Sequence, residues 1–189
     1  DADSNLPPEF SESSYDFTIN ENSSVKDSAG IVSAVDKNAG DIPEYYISSG
    51  DSSIFAVDAS TGKITLKKEV LDYESKDTTY TIYICATDGQ LNSDPVKVTI
   101  HVKDVNEKPS LSDTTLTVAE DAAISDTVGT LEAFDPDSLN VNFSTITYKI
   151  ISASVSNYFK IDSKTGVITV AKSLDYEKNP TYVLTVQAS

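Results

Sequence analysis

The chain has 189 residues, of which 39% are hydrophobic, and this is enough for one large or two ordinary domains with apolar cores. Its 30 acidic residues against 14 basic ones give a formal net charge of −16, and arginine is absent. This charge excludes nucleic acid and anionic membrane surfaces as natural partners, and the lack of arginine argues against a bidentate site for phosphate or carboxylate ligands. Cations are the partners that this composition favours.

Few features of the sequence indicate a cellular compartment. No apolar run approaches the ~20 residues needed to span a bilayer, and the N-terminus lacks the basic and apolar regions of a signal peptide. The single cysteine, Cys85, excludes an intrachain disulfide and is predicted to be a quiet, unpaired thiol. N-glycosylation sequons at Asn22 and Asn142 would suit a secreted protein. We expect any anchor or signal to lie outside this chain.

An internal repeat decides the domain organisation. The sequence FTINENSSVKDSAGIVSAVDKN (17–38) aligns without a gap with LTVAEDAAISDTVGTLEAFDPD (116–137). Further on, IFAVDASTGKITL (54–66) matches YFKIDSKTGVITV (158–170), and the tetrapeptide LDYE follows in both halves. The chain is therefore predicted to contain two copies of one domain.

Each copy is predicted to consist of strands. Residues 96–102 alternate apolar and polar with period two, and the alternate residues of 80–86 share one apolar face. Gly62 and Gly166 lie in turn sequences, where glycine supplies the positive φ of a tight hairpin. About seven short strands per ~100 residues predict an all-β fold of two tandem seven-stranded Greek-key β-sandwiches. On this pattern Cys85 and the only histidine, His101, point away from the core.

The repeat boundaries follow from the alignment. We predict a first repeat over residues 1–103, a linker over 104–108 and a second repeat over 109–189. The first repeat ends with a strand at 96–102 that has no counterpart before Ser189. We expect the second sandwich to lack its final strand, and the parent protein to continue with further repeats, because a missing strand exposes a sheet edge.

The segment VKDVNEKP (102–109) joins the repeats and carries three hard oxygen ligands, Asp104, Asn106 and Glu107. Oxygen ligands along an extended segment suit Ca²⁺, which accepts carboxylates and main-chain carbonyls in flexible geometry. Acidic linkers are often merely solvated. The prediction of a metal-binding joint therefore depends on what the flanking repeats contribute.

Several short motifs resemble, in order and spacing, the calcium-binding signatures of tandem cadherin repeats. They are Glu21 at the end of the first strand, LDYE at 71–74, the linker DVNEKP and the pair Asp135 and Asp137. The resemblance covers almost the whole chain. In that family the sandwiches are stacked end to end, and each junction holds three Ca²⁺ ions. It implies calcium ligands at Glu21, Asp72, Glu74, Asp104, Val105 (through its carbonyl), Asn106, Glu107, Asp135, Asp137 and Asn142.

Electrostatics agrees with this assignment. Seven of these residues are acids, and each close pair would repel by on the order of 1 kcal/mol or more, whereas three divalent ions would neutralise most of the charge. The alternative is a scatter of surface acids, which the recurrence of the acids in both repeats disfavours. Glu107 stands where that family usually has aspartate, and this adds one methylene to a ligand expected to bridge ions.

A second group of oxygen ligands is implied at the start of the first repeat. A further Ca²⁺ there would resemble the extra N-terminal ion of the tip-link cadherins. The alternative is that these residues bind ions only when a preceding repeat is attached. The group comprises Asn5, Asp36, Asn38 and Asp88, with Asp3 nearby.

Three other mechanisms are excluded. Strand exchange between adhesive vertebrate cadherins needs a tryptophan near the N-terminus, and this chain has none. An EF-hand loop starting at Asp36 would end on Ile47 instead of the required glutamate. Enzyme chemistry needs a nucleophile, a base and an orienting group in one pocket, which an exposed His101 and an outward Cys85 do not supply.

The sequence therefore predicts a fragment of an extracellular, cell-surface protein for calcium-dependent adhesion or mechanical linkage. Ca²⁺ would stiffen the junction, and another cadherin-type ectodomain would be the homophilic or heterophilic partner. Two alternatives stay open. One is a calcium-stiffened stalk whose binding head lies elsewhere, and the other is a carbohydrate- or toxin-binding ectodomain.

Overall fold

The computed structural model describes residues 4–75 and 77–189, and the chain divides into two compact units, unit 1 up to Val105 and unit 2 from Asn106. The described residues form strands and no helix, which confirms the all-β prediction. The strands of unit 1 are β1 (Glu9–Phe10), β2 (Ser14–Asn20), β3 (Ser28–Ile31), β4 (Ala34–Val35), β5 (Glu44–Gly50), β6 (Phe55–Val57), β7 (Lys63–Leu66), β8 (Thr79–Thr87) and β9 (Val96–Lys103). Those of unit 2 are β10 (Thr127–Thr130), β11 (Tyr148–Ala153), β12 (Phe159–Ile161), β13 (Val167–Val170) and β14 (Leu184–Ala188).

Unit 1 contains two main sheets. One has four strands in the order β2-β9-β8-β5, and the other has three in the order β3-β7-β6. Strand β2 runs parallel to β9, although the two lie at opposite ends of the unit's sequence, while β8 is antiparallel to both of its neighbours. Strands β1 and β4 form a separate antiparallel pair. The first and last long strands of the repeat are thus neighbours in space.

The core of unit 1 follows from the alternation of apolar side chains. In β9 the inward residues Val96, Val98, Ile100 and Val102 are at most 5% exposed. Their neighbours in β8 are Tyr80, Ile82, Ile84 and Ala86, and the opposite sheet contributes Phe55, Ile64 and Leu66. Because successive side chains of a strand point to opposite faces, one register buries the whole apolar set. The faces predicted from the sequence are confirmed.

A tight turn joins β6 to β7. The Oδ1 atom of Asp58 accepts hydrogen bonds from the backbone amides and the hydroxyl groups of Ser60 and Thr61 at 2.8–3.1 Å. These bonds, of which that from the Ser60 hydroxyl has the largest effect, hold the pKa of Asp58 at about 2. Gly62 closes the turn with φ at +69°, and its counterpart Gly166 has the same value. The predicted positive-φ glycines are confirmed.

Unit 2 repeats part of this plan. Its sheets are β10-β13-β12 and β11-β14, the counterparts of β3-β7-β6 and of β5-β8. Residues 113–119 align with β2, but they form no strand, and β14 pairs on one side only, with β11. Among the described residues of unit 2, no strand takes the place that β9 has in unit 1.

Cys85 departs from the prediction of an outward thiol. Alternation does place it on the face of β8 opposite Ile84, outside the core cluster, yet it is only 6% exposed. Tyr46 lies directly across from it on β5, and the interaction of its hydroxyl with the Cys85 thiol raises the pKa of Tyr46. The free thiol is therefore covered. His101 is exposed as predicted, with Nε2 3.6 Å from an Asp16 carboxylate oxygen.

Candidate metal centre

Among the described acids of unit 1, Glu21 is the most deeply buried, with 2% of its surface exposed. It directly follows β2, whose parallel pairing with β9 sets Asn20 opposite Lys103, and the Glu21 amide donates to the Lys103 carbonyl at 3.0 Å. Its carboxylate accepts the Val105 amide at 2.7 Å and the Tyr73 amide at 2.8 Å. A buried carboxylate is costly unless it is paired, so these donors explain how Glu21 is tolerated. They also tie the LDYE segment and the linker to the end of β2.

Two further acids of unit 1 approach Glu21. One carboxylate oxygen from each of Glu21, Glu74 and Asp104 lies within 4.8 Å of the other two. Glu74 is exposed and Asp104 is half-buried, so the group runs from the interior to the surface. Like charges at this distance repel, and a bound cation would reverse the sign of that interaction. The structure therefore brings together three of the acids that the sequence singled out.

Asp72 also has a local structural role, and its predicted role as a ligand stays a prediction. Its Oδ1 atom accepts the Ser75 amide at 3.0 Å, and its carbonyl accepts the Ser75 hydroxyl at 2.6 Å. These bonds close the turn that carries Glu74. The Asp72 side chain thus shapes the LDYE segment from an exposed position.

Unit 2 contributes two buried acids, Asp135 at 5% and Asp137 at 2% exposure. The Asp137 amide donates to Asp135 Oδ1 at 3.0 Å, and the Glu107 amide donates to Asp137 Oδ2 at 2.6 Å. The other Asp137 oxygen, Oδ1, is buried and accepts no hydrogen bond from the described residues. A buried carboxylate oxygen without a donor is rare in native proteins, and a metal ion is one of the partners that can satisfy it. This atom is the clearest indication of a ligand position in unit 2.

The remaining predicted ligands lie around these acids. Val105 is half-buried, and Asn106 is exposed. Asn142 is exposed in the loop after Asp137, where its amide donates to Asn140 Oδ1 at 3.0 Å. The same loop is folded by the Asn140 amide, which donates to the Asp137 carbonyl at 2.8 Å. The roles of Val105, Asn106 and Asn142 as ligands stay predictions.

A second acidic group lies at the start of unit 1. Asp36, Asp41 and Asp88 each place a carboxylate oxygen within 4.8 Å of the other two. Asp36 Oδ1 accepts the Asn38 amide at 2.8 Å, whereas its Oδ2 is buried without a hydrogen-bond partner among the described residues. Hydrogen bonds from backbone amides, above all that of Leu91, lower the pKa of Asp88. Asp88 is thus poised to remain ionised.

The two asparagines predicted for this group, Asn5 and Asn38, make hydrogen bonds at its edge. The side-chain Nδ2 of Asn5 donates to Asp88 Oδ2 at 2.7 Å, and Asn38 Oδ1 accepts the backbone amide of Leu6 at 2.9 Å. Both contacts fasten the first described residues to the acidic group. Asp3, which the sequence placed nearby, lies outside the described residues.

Sequence reasoning missed Asp41. It follows Asp36 by five positions, and the repeat alignment sets it opposite Asn140, another oxygen-bearing residue. The matched oxygen-bearing residues at 41 and 140 could have indicated a ligand position, but the alignment of residues 17–38 ended three residues before Asp41. In the structure Asp41 is exposed at the edge of the group.

The described part of the chain contains no helix long and apolar enough to cross a membrane. The cadherin domain model matches residues 15–103 and again residues 114–189. Human cadherin-7 is 37% identical over 201 aligned residues, which cover 96% of this chain and 25% of that protein. Human protocadherin Fat 4 is 39% identical over 189 residues, which cover 96% of this chain and 4% of that protein.

A solved structure has the same fold. Mouse protocadherin-24 EC1-3 matches with a TM-score of 0.69 and 28% identity, over 96% of this chain and 63% of that one. The chain thus spans about a quarter or less of the two relatives it matches in sequence. Two matches to one domain model, high coverage by relatives above 30% identity and a shared fold give one conclusion: the chain belongs to the cadherin family and consists of two cadherin repeats.

Proposed function

We propose that this chain is part of the ectodomain of a cell-surface protein, where it serves calcium-dependent adhesion or mechanical linkage. Ca²⁺ ions would be bound by the acids around the linker at residues 104–108. The observation that carries this proposal is the pair of deeply buried carboxylates, Glu21 and Asp137, each hydrogen-bonded to a linker amide. The hydrogen bond of Glu21 lies within unit 1, and that of Asp137 lies within unit 2.

Chain connectivity supports a shared site. The two linker amides belong to Val105 and Glu107, so only Asn106 separates the donors. A fully extended chain spans at most about 3.6 Å per residue, which limits their Cα atoms to a separation of about 7 Å. The linker itself would therefore keep the buried carboxylates of both repeats close to one set of ions.

The donor set fits Ca²⁺. It consists of carboxylate oxygens and linker carbonyls, which are the hard ligands that Ca²⁺ takes in groups of six to eight. The repulsion among Glu21, Glu74 and Asp104, and the unsatisfied Oδ1 atom of Asp137, are both relieved by a cation. The family resemblance adds the expectation of three ions. Glu107, Asp135 and the remaining predicted linker ligands would complete their coordination.

Calorimetric titration of the whole chain with Ca²⁺ tests this proposal, with Mg²⁺ as the competing ion. We expect several sites in the range of ~10⁻⁴–10⁻³ M that is typical of extracellular modules, and much weaker binding of Mg²⁺, which requires stricter geometry. A chain that binds no Ca²⁺ at millimolar concentration would refute the metal assignment.

Adhesion and a passive stalk make different predictions about self-association. If the chain itself is adhesive, or pairs with another cadherin-type ectodomain, Ca²⁺ should cause association. This association should appear as aggregation of beads coated with the chain or as larger species in sedimentation, and a chelator should reverse it. If the chain binds Ca²⁺ but neither aggregates beads nor associates in solution, alone or with cadherin ectodomains, the alternative of a calcium-stiffened stalk would be favoured. Binding on a glycan array would favour the carbohydrate-binding alternative.

A further Ca²⁺ position is proposed at the start of unit 1. Asp36, Asp41 and Asp88 would be its ligands, and the support is their mutual approach within 4.8 Å together with the buried Oδ2 atom of Asp36. Asn5 and Asn38 would hold the group in shape through their contacts with Asp88 and Leu6. Replacing Asp41 by asparagine should remove one weak site from the titration and leave the others unchanged.

A further inference from the structure

The loop of residues 138–144 in unit 2 carries the two most exposed large apolar side chains of the described residues. Leu139 is 97% exposed and Val141 is 86% exposed. The loop directly follows Asp137, one of the two buried acids of this unit. Single exposed apolar residues are common on protein surfaces and need no explanation, but two nearly bare ones in one short loop point to a group that covers them.

The same loop contains the sequon Asn142-Phe143-Ser144. Its middle residue satisfies the requirement for N-glycosylation, since only proline is excluded there. Asn142 is exposed, and within the described residues its side chain makes no hydrogen bond to the protein. A bulky sugar on its Nδ2 atom would therefore displace no contact of the fold.

Hydrogen bonds to Asn140 fix the shape of this loop. The backbone amides of Phe143 and Ser144 both donate to the Asn140 carbonyl at 2.9 Å, and the Asn142 amide donates to Asn140 Oδ1 at 3.0 Å. Asn142 is thus held in one turn beside Val141 and three residues after Leu139. An oligosaccharide attached there is large enough to reach both apolar side chains.

The corresponding loop of unit 1 supports this connection by contrast. The gap-free alignment that sets Asp41 opposite Asn140 places Gly40 opposite Leu139 and Pro43 opposite Asn142. Ile42, opposite Val141, is 80% exposed, but no second apolar residue stands two positions before it. The apolar pair and the sequon therefore occur together in unit 2 and are both absent from unit 1, as expected if a glycan covers the pair.

We propose that Asn142 carries an N-linked glycan whose first sugars lie over Leu139 and Val141. The inference rests on the proposed extracellular location, because the transfer takes place on the secretory route. Asn142 Nδ2 forms a bond to the anomeric carbon of a lipid-linked oligosaccharide donor, and the bond from that carbon to the donor's diphosphate breaks. The diphosphate leaves with the bonding electrons, and the proton lost from Nδ2 passes to the transferase.

This glycan is compatible with the predicted role of Asn142 as a calcium ligand. The sugar occupies Nδ2, so Oδ1 and the main-chain carbonyl keep their lone pairs for a cation. The bulk of the sugar would keep protein partners away from Leu139 and Val141. Adhesion by this chain would then use a different surface.

The first test is occupancy of the sequon. The whole chain is secreted from eukaryotic cells and treated with peptide N-glycosidase in heavy-oxygen water, which turns each glycan-bearing asparagine into labelled aspartate. Peptide mass spectrometry should find the label at position 142 in most molecules. Ser144→Ala should abolish it, because the sequon needs a hydroxyl residue, whereas Ser144→Thr and Asn22→Gln should keep it. An unlabelled position 142 would overturn the proposal.

The second test is the cover itself, measured by hydroxyl-radical footprinting. Oxidation of Leu139 and Val141 should be about twofold or more higher in Ser144→Ala than in the glycosylated parent, while oxidation of Ile42 should be equal in both. Equal oxidation of all three residues would overturn the proposal. If Ser144→Ala is not secreted, the folded parent after enzymatic removal of the glycan supplies the uncovered form.

Calcium titration separates this result from the metal assignment. Ser144→Ala keeps Asn142 and the backbone amide that donates to the Asn140 carbonyl, so it should bind Ca²⁺ as the parent does. If neither protein binds Ca²⁺, the metal assignment fails while a labelled position 142 and a covered apolar pair still support the glycan.

Discussion

Replacement of Glu21 by glutamine is the sharpest test of the metal centre. The substitution keeps the size of a side chain that is 2% exposed, and it removes one of three charges whose oxygens lie within 4.8 Å of each other. Glutamine can still accept one of the two backbone amides that Glu21 holds, those of Tyr73 and Val105. The variant should therefore fold, and its effect should depend on whether Ca²⁺ is present.

In chelator, two opposing contributions set the stability of Glu21→Gln relative to the parent. Loss of a charge-assisted hydrogen bond costs about 1.5–3 kcal/mol. Removal of the repulsion between Glu21 and Asp104, at up to 4.8 Å, returns ~1 kcal/mol in a water-like medium and ~3 kcal/mol at an effective dielectric constant of about 20. The two roughly cancel. When no ion is bound, we expect the free energy of unfolding of the variant to lie within ~2 kcal/mol of that of the parent.

In Ca²⁺ the balance changes. At a hundredfold excess over Kd, each site stabilises the parent by about 2.7 kcal/mol, and a tenfold loss of affinity would reduce this to about 1.4 kcal/mol. Because Glu21 approaches two other acids, we expect more than one site to weaken. For a domain of this size, the calcium-induced rise in melting temperature should shrink by about 5 °C or more.

Thermal unfolding in millimolar Ca²⁺ and in chelator measures this difference directly, and calorimetric titration gives the affinities. Glu132→Gln is the matched control, because Glu132 is exposed and has no predicted role as a ligand. A calcium-induced rise that is equally reduced in Glu132→Gln would mean that the acids act as a diffuse cloud of charge. An unchanged rise in Glu21→Gln would remove Glu21 from the ligand set.

Three further outcomes are expected. Asp135→Ala should abolish mainly one site in the calorimetric titration, whereas Asp104→Ala should weaken several, because the linker acid is expected to bridge ions; equal losses would reject this ranking. Small-angle scattering should give a larger maximum dimension in millimolar Ca²⁺ than in chelator, and identical values would contradict a calcium-stiffened joint. Asp58→Asn should destabilise the chain at neutral pH in urea unfolding. Its folded-state pKa of about 2 lies below the ordinary value of 3.8, so this loss should fade as the pH falls from about 4 towards 2, and a constant difference would mean that the charge of Asp58 is unimportant.

The sequence was sufficient for features that depend on local patterns. Period-two alternation predicted the inward faces of β8 and β9, because each strand residue points to the side opposite its neighbours. The glycines at 62 and 166 marked their hairpins, since few other residues adopt a positive φ without strain.

Contacts between distant segments needed the tertiary structure. That Glu21 meets Glu74 and Asp104 depends on β2 lying parallel to β9, a pairing between strands about eighty residues apart that no local pattern encodes. The same limit explains why Asp41 was missed and why Cys85, outward by alternation, is nonetheless covered by Tyr46 from β5. Only the fold distinguishes Glu74, whose carboxylate reaches the other acids, from Asp72, whose carboxylate closes a turn. The sequence by itself thus determined the family, the repeats and the supply of oxygen ligands. The tertiary structure decided which of those oxygens approach one another, because sheet pairing sets the distances between remote side chains.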